Sequence, residues 1–416
     1  MASKVVNVVV AGGNYAGLNA IRYLYAMLLA PVDQASRPKV HITLVDRRDG
    51  FVHYVGMTRG ITEPSFGSSL WVPYSTIDWL HHPQITVKQG TVAEVQPTLV
   101  QLASGEQLQF DYLVVALGIS RFAPIGVRSS TKAEFVDELA ESYAQLKSAK
   151  SVVVVGGGAV GIELAADIKC DFQDKSVTLV HSRALPLPGP FKDELRENVV
   201  DILQRQIGVD LVLGQRVVAQ EPASADMSDV TPDMPEYVSS TAANAKLTLS
   251  SGQTLHGDWV VRCLGTHDKR SVIMLPSSTQ APIFGTNGIR VKDTMQIDDI
   301  AYPHIYACGD ICARDTVKLA GVAMYGAFIA AINIARTIVS TSKESPTLEE
   351  SPLYPSKIML LMGKDHFVMQ LGDEIWETEK TRQYVSDDMS LQGCIDALSL
   401  NQTPAPRSPF DSPSSY

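Results

Sequence analysis

The sequence predicts an α/β protein in which one nucleotide-binding unit occurs twice. Residues 5–10 form an apolar run broken only by Asn7, a glycine-rich turn follows, and residues 16–29 have helical periodicity before an alternating run at 40–45. Residues 152–155 and 177–180 repeat this order around a second glycine-rich turn. Continuous apolar runs are typical of parallel strands buried on both faces, and strand–turn–helix–strand is the repeating unit of a parallel sheet. We therefore expect two Rossmann-like dinucleotide-binding domains.

The length and the composition are those of a globular protein with several domains. The chain has 416 residues, of which 45% are hydrophobic and 19% are charged. Domains of ~100–200 residues predict two or three of them here. The formal net charge is −10, and nothing in the sequence resembles the basic footprint of a nucleic-acid-binding protein.

The cysteines argue against a disulfide framework, because their number is odd and they are widely spread. They are Cys170, Cys263, Cys308, Cys312 and Cys394. Such usage is typical of a reducing compartment, and we expect a cytoplasmic protein. No histidine cluster accompanies Cys308 and Cys312, so no metal site is predicted.

The first glycine-rich turn fits the G-x-G-x-x-G pattern with one departure, Asn14 at the second glycine position. The residues of the turn are Gly12, Gly13, Asn14, Tyr15, Ala16 and Gly17. Asparagine tolerates unusual backbone angles, which makes the turn feasible, and the amides that open the next helix can bind phosphate. Asp46 ends the following strand, where an acid accepts hydrogen bonds from a ribose hydroxyl. The alternative is a tight turn and a surface aspartate without a ligand.

The second glycine-rich turn matches the pattern in full, with Gly156, Gly158 and Gly161 between a strand and a helix. It predicts a site for a nicotinamide nucleotide. The strand after it ends in His181 and Arg183 instead of an acid. Arg183 can pair with a 2′-phosphate, which favours NADPH or the use of both nucleotides. Its alternative role is that of a solvated loop charge.

Two dinucleotide sites of different character in one chain predict that NAD(P)H passes a hydride to a bound FAD. Glu163 lies early in the helix after the second turn. It can complement the helix dipole, or it can lie at the contact between nicotinamide and flavin and there position the ring or handle a proton.

Further segments resemble those of the pyridine nucleotide-disulfide reductase superfamily. Residues 111–118, which end at Gly118, residues 261–265 and the Gly309-Asp310 pair are similar to its "ATG", "TG" and "GD" segments, with Leu117 where threonine is usual. Within the superfamily the chain is most similar, over roughly residues 4–375, to the apoptosis-inducing-factor-like and ferroptosis-suppressor-like group. The matching segments include 51–53, 57–59, 179–182, 318–320 and 361–364.

The resemblance implies how the chain is divided. An FAD-binding domain would comprise residues 1–123 and 290–345, with an NAD(P)H-binding domain, 124–289, inserted in it. A small C-terminal portion, 346–400, would pack near the flavin and the dimer or acceptor surface. Residues 401–416 contain four prolines and four serines, and this composition predicts a disordered tail.

The resemblance also implies site residues. Arg59, Val92 and Asp310 would join the first turn at FAD, with Asp310 on the ribityl chain. Lys318 would begin the helix that lies beside the isoalloxazine ring.

The electron acceptor follows from what the chain lacks. Disulfide reductases need a redox cysteine pair beside the flavin, and no cysteine precedes Cys170. We therefore expect direct electron transfer to a diffusible acceptor, and the resemblance implies a quinone. Two alternatives stay open. One is a reductase of a small redox protein or a pathway-specific substrate; the other is a slowly turning redox sensor whose reduced flavin changes its assembly or partners.

Membrane contact is expected to be peripheral at most. Residues 319–335 carry no charge, which touches the lower limit for a membrane-spanning helix. Asn333 interrupts this run and Lys318 and Arg336 bracket it, so a buried helix is the better interpretation. A strand-like run from Val5 argues against a presequence, and Ala2 does not fit N-myristoylation. A homodimer is compatible with the sequence.

Overall fold

The computed structural model describes residues 5–30, 38–221, 242–266, 272–314, 317–340, 346–352 and 356–411. The helices are α1 (Tyr15–Leu24), α2 (Met57–Thr62), α3 (Pro64–Gly67), α4 (Lys132–Ser148), α5 (Ala159–Asp171), α6 (Asp193–Asp201), α7 (Ala320–Val339), α8 (Thr378–Arg382) and α9 (Leu391–Ala397). π-Helical segments, Tyr25–Leu29 and Ile202–Ile207, continue α1 and α6. Short 3-10 turns lie at Tyr54–Gly56, Ser68–Leu70, Tyr74–Thr76 and Asp78–His81.

The strands fall into three stretches of the chain. The first holds β1 (Val6–Ala11), β2 (Val40–Asp46), β3 (Gly50–Val52), β4 (Trp71–Pro73), β5 (Ile85–Gln89), β6 (Val92–Val95), β7 (Leu99–Leu102), β8 (Gln107–Gln109), β9 (Tyr112–Val115) and β10 (Ser120–Arg121). The second holds β11 (Ser151–Val155), β12 (Ser176–His181), β13 (Asp210–Leu213), β14 (Val217–Glu221), β15 (Ala242–Leu249), β16 (Thr254–Arg262) and β17 (Gly265–Thr266). The third holds β18 (Phe284–Gly285), β19 (Gly288–Ile289), β20 (Ile305–Ala307), β21 (Lys357–Met362), β22 (His366–Leu371) and β23 (Glu374–Trp376).

The first sheet is parallel throughout, in the order β20-β9-β1-β2-β5. Its central strand, β1, is apolar because both of its faces are covered, and Val8 and Val10 are fully buried. Helices α1 and α7 pack on each other, with the rings of Tyr23 and Phe328 4.6 Å apart. The expected first Rossmann-like unit is therefore present, and both helices bring their N-termini to the end of the sheet where β1 stops.

The second sheet has the order β13-β12-β11-β16-β15-β14. Its first four strands are parallel, and β15 and β14 add antiparallel strands at one edge. Helix α4 precedes this sheet and begins at a capping box, in which Thr131 accepts from the Glu134 amide and Glu134 accepts from the Thr131 amide. Both predicted sheets are present and consist mainly of parallel strands, as the apolar runs indicate.

The chain returns to the first domain earlier than residue 290. The Met274 amide donates to the Val95 carbonyl at 3.0 Å, and Ile273 and Leu275 are buried in the core of the first domain. The second segment of the first domain therefore begins before residue 290. The reason is that these apolar residues are buried near β6 and not in the inserted domain. Strands β10 and β17 pair where the chain crosses between the domains.

The C-terminal portion is a three-stranded antiparallel sheet, β21-β22-β23, followed by α8 and α9. Strand β21 packs on α5 of the second domain. Leu398 and Leu400, just after α9, are buried in the core of the first domain. This portion therefore contacts both nucleotide-binding domains and not the flavin side alone.

Residues 401–411 are ordered, contrary to the expected disorder of the tail. The Arg407 amide donates to the Ala26 carbonyl at 3.0 Å, and Arg336 Nε donates to the Pro409 carbonyl at 2.8 Å. The Arg407 guanidinium lies 5.0 Å from the centre of the Phe328 ring. Prolines lower the conformational entropy that such ordering costs. Residues 412–416 lie outside the described part of the chain.

Helix α7 is, among the described helices, the one long and apolar enough to cross a membrane, and 67% of its apolar window is buried inside the protein. Asn333, the polar residue in the run, is fully buried and donates to the Thr294 and Glu349 carbonyls at 3.0 and 2.8 Å. Burial against α1 and a satisfied amide are what a core helix requires.

Candidate functional site

The glycines at the ends of the first turn are sterically required. Gly12 has φ +102°, and a Cβ atom there would lie 2.3 Å from the Ala116 carbonyl oxygen. A Cβ on Gly17 would lie 1.7 Å from the Gly12 carbonyl oxygen. The second turn repeats both constraints: Gly156 has φ +120°, and a Cβ on Gly161 would lie 1.8 Å from the Gly156 oxygen. Glycine alone fits such positions.

The middle position of each turn has no such constraint. Asn14 has φ −94° and ψ −155°, and Gly158, its counterpart, has φ −82° and ψ 178°. Both are extended conformations open to any residue, and a Cβ on Gly158 meets nothing within 4 Å. The expected reason for tolerating Asn14, unusual backbone angles, is therefore wrong, because the backbone there is extended.

A carboxylate holds the first turn. Asp46 Oδ2 accepts from the Gly13 amide at 2.6 Å, and Oδ1 accepts from the Arg48 amide at 2.8 Å. The Tyr74 hydroxyl donates to the Gly13 carbonyl at 2.8 Å, so both the amide and the carbonyl of Gly13 are hydrogen-bonded. Tyr74 has no sequence motif and could not be singled out in advance. The structure thus joins the predicted turn to the predicted strand-end acid.

An imidazole takes the place of that carboxylate in the second turn. His181 Nδ1 accepts from the Gly157 amide at 3.1 Å, in the same geometric role as Asp46. Burial and the nearby Arg183 lower the pKa of His181, so the ring is neutral at neutral pH. Since Nδ1 accepts, the proton lies on Nε2, and this buried N–H has no partner among the described residues. The site therefore presents a donor to an oxygen of a nucleotide.

Two arginines flank this strand end. Arg183 and Arg216 are exposed, and the loop that carries Arg216 lies beside residues 181–183, because the Gly214 amide donates to the Arg183 carbonyl at 2.8 Å. Within the described ranges neither guanidinium pairs with a carboxylate. The end of β12 is therefore a positive surface instead of the negative one that an acid would give.

Asp310 lies beside the first turn and is paired. Its Oδ2 atom is 2.9 Å from Arg121 Nη2. Gly309 has φ +80°, and a Cβ there would lie 3.2 Å from the Ala16 Cβ, so the Gly-Asp turn abuts the start of α1. Arg121 also stacks on the Tyr54 ring at 5.5 Å. Arg121 is a candidate cofactor contact that no motif announces.

Three other predicted residues lie around this region. Gly118, just after β9, has φ +66° and nothing within 4 Å of a Cβ. Val92 begins β6 and is buried. Lys318 precedes α7, and its Nζ donates to the Cys312 carbonyl at 2.5 Å. No described contact joins Lys318 to Glu163, so the structure does not bring the two predicted catalytic residues together.

The described polar contacts of Arg59 reach α5 and the C-terminal portion. Its Nη2 atom donates to the Gly363 carbonyl at 2.8 Å and lies 3.5 Å from Asp167 Oδ1. Its Nη1 atom donates to the Asp387 carbonyl at 3.3 Å. No described contact joins Arg59 to the first turn. It lies in a buried cluster between α2, α5 and the C-terminal portion, and a role at FAD stays a prediction.

Glu163 belongs to the same buried region. Its Oε1 atom accepts from the Leu361 amide of β21 at 3.1 Å. Burial raises the pKa of Glu163 to about 8, which the Leu361 hydrogen bond opposes. Burial also raises the pKa of Asp167, one turn further along α5, to about 6, against the attraction of Arg59. Glu163 is thus protonated at neutral pH and fastens β21 to α5.

Substituting Glu163→Gln should remove part of the pH dependence of stability. An acid whose pKa is about 8 in the folded protein and 4.5 otherwise binds more protons when folded, so the free energy of unfolding falls as pH rises through this window. Glutamine mimics the protonated acid. We expect the variant to match the wild type near pH 4.5 and to exceed its stability by pH 8, measured by urea unfolding at several pH values.

Asp167 supplies an internal control for that experiment. The pKa of Asp167 is raised from 3.8 to about 6 in the folded protein. The free energy of unfolding of Glu163→Gln should therefore still fall as the pH rises from about 4 to 6. Parallel curves for variant and wild type up to pH 8 would contradict the assignment to Glu163.

The five cysteines are free thiols. Burial raises the pKa of Cys170 to about 11 and that of Cys263, Cys308 and Cys394 to about 12. Cys308 and Cys312, which flank the Gly309-Asp310 turn, are both buried. The nucleophile in thiol chemistry is the thiolate, and the raised pKa values of Cys170, Cys263, Cys308 and Cys394 keep these four thiols protonated.

The residues of the first turn fit a dinucleotide. The Oδ1 atom of Asn14 is buried without a hydrogen-bond partner among the described residues, and oxygen and nitrogen of an amide are interchangeable by rotation. It therefore offers a donor or an acceptor at the N-terminus of α1, where amides and the helix dipole favour phosphate. The Nε2–H of His181 is the corresponding orphan at the second turn.

Comparison with known proteins gives one family and several relatives. A family model described as pyridine nucleotide-disulphide oxidoreductase matches residues 6–327. The chain is 27% identical to oxidoreductase OXR1 of Ajellomyces capsulatus, over 96% of this chain and 88% of that protein. It is 27% identical to ferroptosis suppressor protein 1 of Homo sapiens, over 89% of this chain and 90% of that protein.

Solved structures share the fold at lower identity. A water-forming NADH oxidase from Lactobacillus brevis, bound to NADH, has a TM-score of 0.62 and 18% identity, and the match covers 88% of this chain and 74% of that one. An engineered NADPH-bound variant of that oxidase gives a TM-score of 0.60 and 19% identity, over 88% of this chain and 75% of that one.

Proposed function

Because the chain belongs to the pyridine nucleotide-disulphide oxidoreductase family, we propose that it takes a hydride from NAD(P)H onto FAD and passes the electrons to a quinone. The coarser part of this statement follows from the family: the protein is an FAD-dependent oxidoreductase that uses NAD(P)H. The observation that carries the assignment is the pair of equivalent turns, each closed by a strand-end side chain on a glycine amide, Asp46 on Gly13 and His181 on Gly157.

The residues present divide the work between the two nucleotides. FAD, when bound, accepts a hydride and releases two electrons, which is the chemistry of the cofactor itself. The first turn, Asp46 and Asp310 would hold FAD. The second turn, His181 and Arg183 would hold the nicotinamide nucleotide. The chain's own contribution is orientation and the exclusion of water.

Direct transfer to a diffusible acceptor is supported by the thiols. A disulfide relay needs a reactive cysteine pair, and the raised pKa values of Cys263, Cys308 and Cys394 oppose thiolate formation. A quinone as acceptor rests on the similarity to ferroptosis suppressor protein 1.

The test is an anaerobic reduction followed by an acceptor screen. The FAD-loaded protein is reduced with one equivalent of NADPH and mixed with soluble quinones, and flavin absorbance follows reoxidation. Rapid reoxidation by a quinone over many turnovers supports the proposal. A long-lived charge-transfer complex with negligible turnover on every quinone would instead favour the redox-sensor alternative.

We further propose that the protein accepts NADPH. The end of β12 offers Arg183, Arg216 and the free Nε2–H of His181, with no acid at the strand end. The engineered oxidase described as NADPH-bound carries substitutions that remove an aspartate and introduce two arginines. A 2′-phosphate meets attraction at such a surface, whereas an acid would repel it.

Substituting Arg183→Ala should raise the KM for NADPH by about 10–100-fold, since a hydrogen bond to a charged group contributes ~1.5–3 kcal/mol. The KM for NADH, which lacks the 2′-phosphate, should change little. Steady-state kinetics with both nucleotides measure the difference.

Arg205→Ala is the matched control, because Arg205 is an exposed arginine of the same domain whose partner is Asp201. Equal changes of the KM for NADPH and for NADH in Arg183→Ala would show that Arg183 does not contact the 2′-phosphate.

For localisation we propose the cytoplasm, with at most peripheral contact with a membrane.

A further inference from the structure

A buried tyrosine–histidine pair lies where α1 begins. The Tyr15 hydroxyl is 3.2 Å from His53 Nδ1, and His53 Nε2 is 2.9 Å from the Met389 carbonyl oxygen. The Val55 amide donates to the Tyr15 hydroxyl oxygen at 3.2 Å. Tyr15 is 9% exposed and His53 is 2% exposed. Two polar side chains with this degree of burial need a reason beyond packing.

The partners fix where the protons are. A carbonyl only accepts, so His53 Nε2 carries a proton and donates to Met389. Burial lowers the pKa of His53, against the Met389 hydrogen bond and the charge of Asp388, so the ring is neutral at pH 7. Its Nδ1 atom then accepts from the Tyr15 hydroxyl. When His53 gains a proton, Nδ1 becomes a donor, and the Tyr15 hydrogen must point elsewhere.

Tyr15 also borders a cavity, into which its hydroxyl hydrogen can point. An apolar cavity of about 220 Å³ is lined by Tyr15 and His53, by Ala320 and Met324 of α7, and by residues of α9 that include Cys394. Its walls therefore come from the N-terminal turns of α1 and α7. The same two turns meet the Gly309-Asp310 segment, because a Cβ on Gly309 would lie 3.2 Å from Ala16 Cβ and 3.6 Å from Ala323 Cβ. The cavity is thus next to the expected flavin site.

The backbone that closes this cavity is strained. Met389 and Ser390, consecutive residues before α9, have φ +53° and +62°, a left-handed conformation that residues other than glycine adopt rarely. Met389 supplies the carbonyl that holds His53, and Ser390 lines the cavity. Strain of this kind persists where the surrounding structure enforces it, which is common at functional sites.

We propose that Tyr15 is the proton donor to the electron acceptor, that His53 supplies it with the proton, and that the acceptor's ring occupies the cavity between α1, α7 and α9. This rests on the proposed function. Typical ligand pockets have ~300–1,000 Å³, so a cavity of about 220 Å³ accommodates a single-ring head group.

The step balances as follows for a quinone. One carbonyl oxygen receives a hydride, which is two electrons and one proton, from the reduced cofactor. The other oxygen receives the Tyr15 proton as the phenolic O–H bond breaks, while the Tyr15 oxygen takes the Nδ1 proton of the His53 imidazolium. The products are a quinol, a neutral Tyr15 and a neutral His53; a proton taken up from the solvent then restores the His53 imidazolium.

The charged and titratable groups around Tyr15 and His53 favour proton transfer from His53 through Tyr15. Asp388 faces His53, whereas Arg121, Tyr54 and Cys394 face Tyr15. Burial raises the pKa of Tyr15 well above 10, so Tyr15 does not ionise alone. It transfers its proton only when His53 replaces it. The rate of quinone reduction should therefore rise as pH falls through the pKa of His53, below 6.5.

The experiment separates the two half-reactions in His53→Gln and Tyr15→Phe. In His53→Gln, reduction of the FAD-loaded protein by NADPH, and its reoxidation by ferricyanide, which takes electrons without protons, should be unchanged. Tyr15→Phe changes a residue of the first turn, so its quinone rate is compared with its own ferricyanide rate. Reoxidation by a soluble quinone should slow by about 10²-fold or more, with loss of the rise toward low pH. Equal slowing with ferricyanide and quinone, or an unchanged pH profile in His53→Gln, would overturn the relay.

Controls and a second readout keep the result specific. Tyr302→Phe and His304→Gln remove comparable side chains bonded to the Pro276 and Pro97 carbonyls, away from the cavity, and should leave both acceptors unaffected. Nitrogen-15 NMR of histidine-labelled protein should show, by difference from His53→Gln, an Nε2–H tautomer that titrates below pH 6.5. An Nδ1–H tautomer or a midpoint above 6.5 would overturn the relay.

Failure of the proposed function gives a different pattern. A wild-type protein that reduces ferricyanide but no quinone overturns the proposed function, and the relay with it. A wild-type protein that reduces quinones at the same rate as both variants overturns the relay alone.

Discussion

Asp310→Ala should yield a protein that purifies largely without FAD. Asp310 follows Gly309 at the point where the Gly-Asp segment meets α1, and Arg121 pairs with its Oδ2 atom, while Oδ1 has no hydrogen bond among the described residues. A hydrogen bond to a charged group contributes ~1.5–3 kcal/mol, so the FAD dissociation constant should rise by about 10–100-fold. The ratio of absorbance at the flavin band to that at 280 nm measures the bound cofactor.

The outcome needs a folded variant to be informative. Circular dichroism should show native secondary structure in Asp310→Ala, and Asp310→Asn, which keeps the hydrogen-bonding oxygen, should retain intermediate FAD content. Asp298→Ala is the control, since Asp298 pairs with Arg290 at the surface. Full FAD content in Asp310→Ala would contradict the assignment of the first turn and Asp310 to FAD.

Asp167→Ala should lower the free energy of unfolding by about 3–5 kcal/mol, the range for removal of one partner of a buried ion pair. Arg59 is 3% exposed and Asp167 is 2% exposed. Removal of the carboxylate leaves the guanidinium buried with two carbonyl partners, at Gly363 and Asp387, and no anion beside it. Urea unfolding at pH 7.5, above the pKa of Asp167, measures the loss.

A double variant tells an ion-pair effect from a packing effect. Arg59→Met with Asp167→Leu removes both charges and keeps the volume, and such replacements are often neutral or stabilising. Asp201→Ala is the surface control, because the exposed pair between Asp201 at the end of α6 and Arg205 in the π-helical segment that follows contributes at most ~1 kcal/mol. If Asp167→Ala and Asp201→Ala lower the free energy of unfolding by the same amount, the cluster does not hold the C-terminal portion to α5 and α2.

The two glycine-rich turns could be predicted because the positive φ angles and the contacts between their end glycines are local, although Gly12 also abuts the remote Ala116 carbonyl. Gly12 and Gly17 stand five residues apart, and their contact depends on the backbone of the turn alone. The apolar runs likewise identify β1 and β11, since a strand covered on both faces admits few polar residues. The family resemblance added the distant Asp310.

Other features depend on contacts between remote segments. The Arg59 side chain could not be placed from its helix, because its partners lie on α5 and in the C-terminal portion. The return of the chain to the first domain before residue 290 and the ordered segment 401–411 were missed for the same reason. Composition reports the average character of a segment, whereas burial depends on the surface it meets.

The sequence by itself determined that two dinucleotide units are present and which glycines make them, because short-range sterics leave no alternative residue there. It also determined that the second strand end lacks an acid. Only the tertiary structure decided that His181 takes over the carboxylate's hydrogen bond to the turn, and that Tyr15 meets His53 beside a cavity. Hydrogen bonds and cavities are properties of chain segments that folding brings together, and no spacing along the chain encodes their geometry.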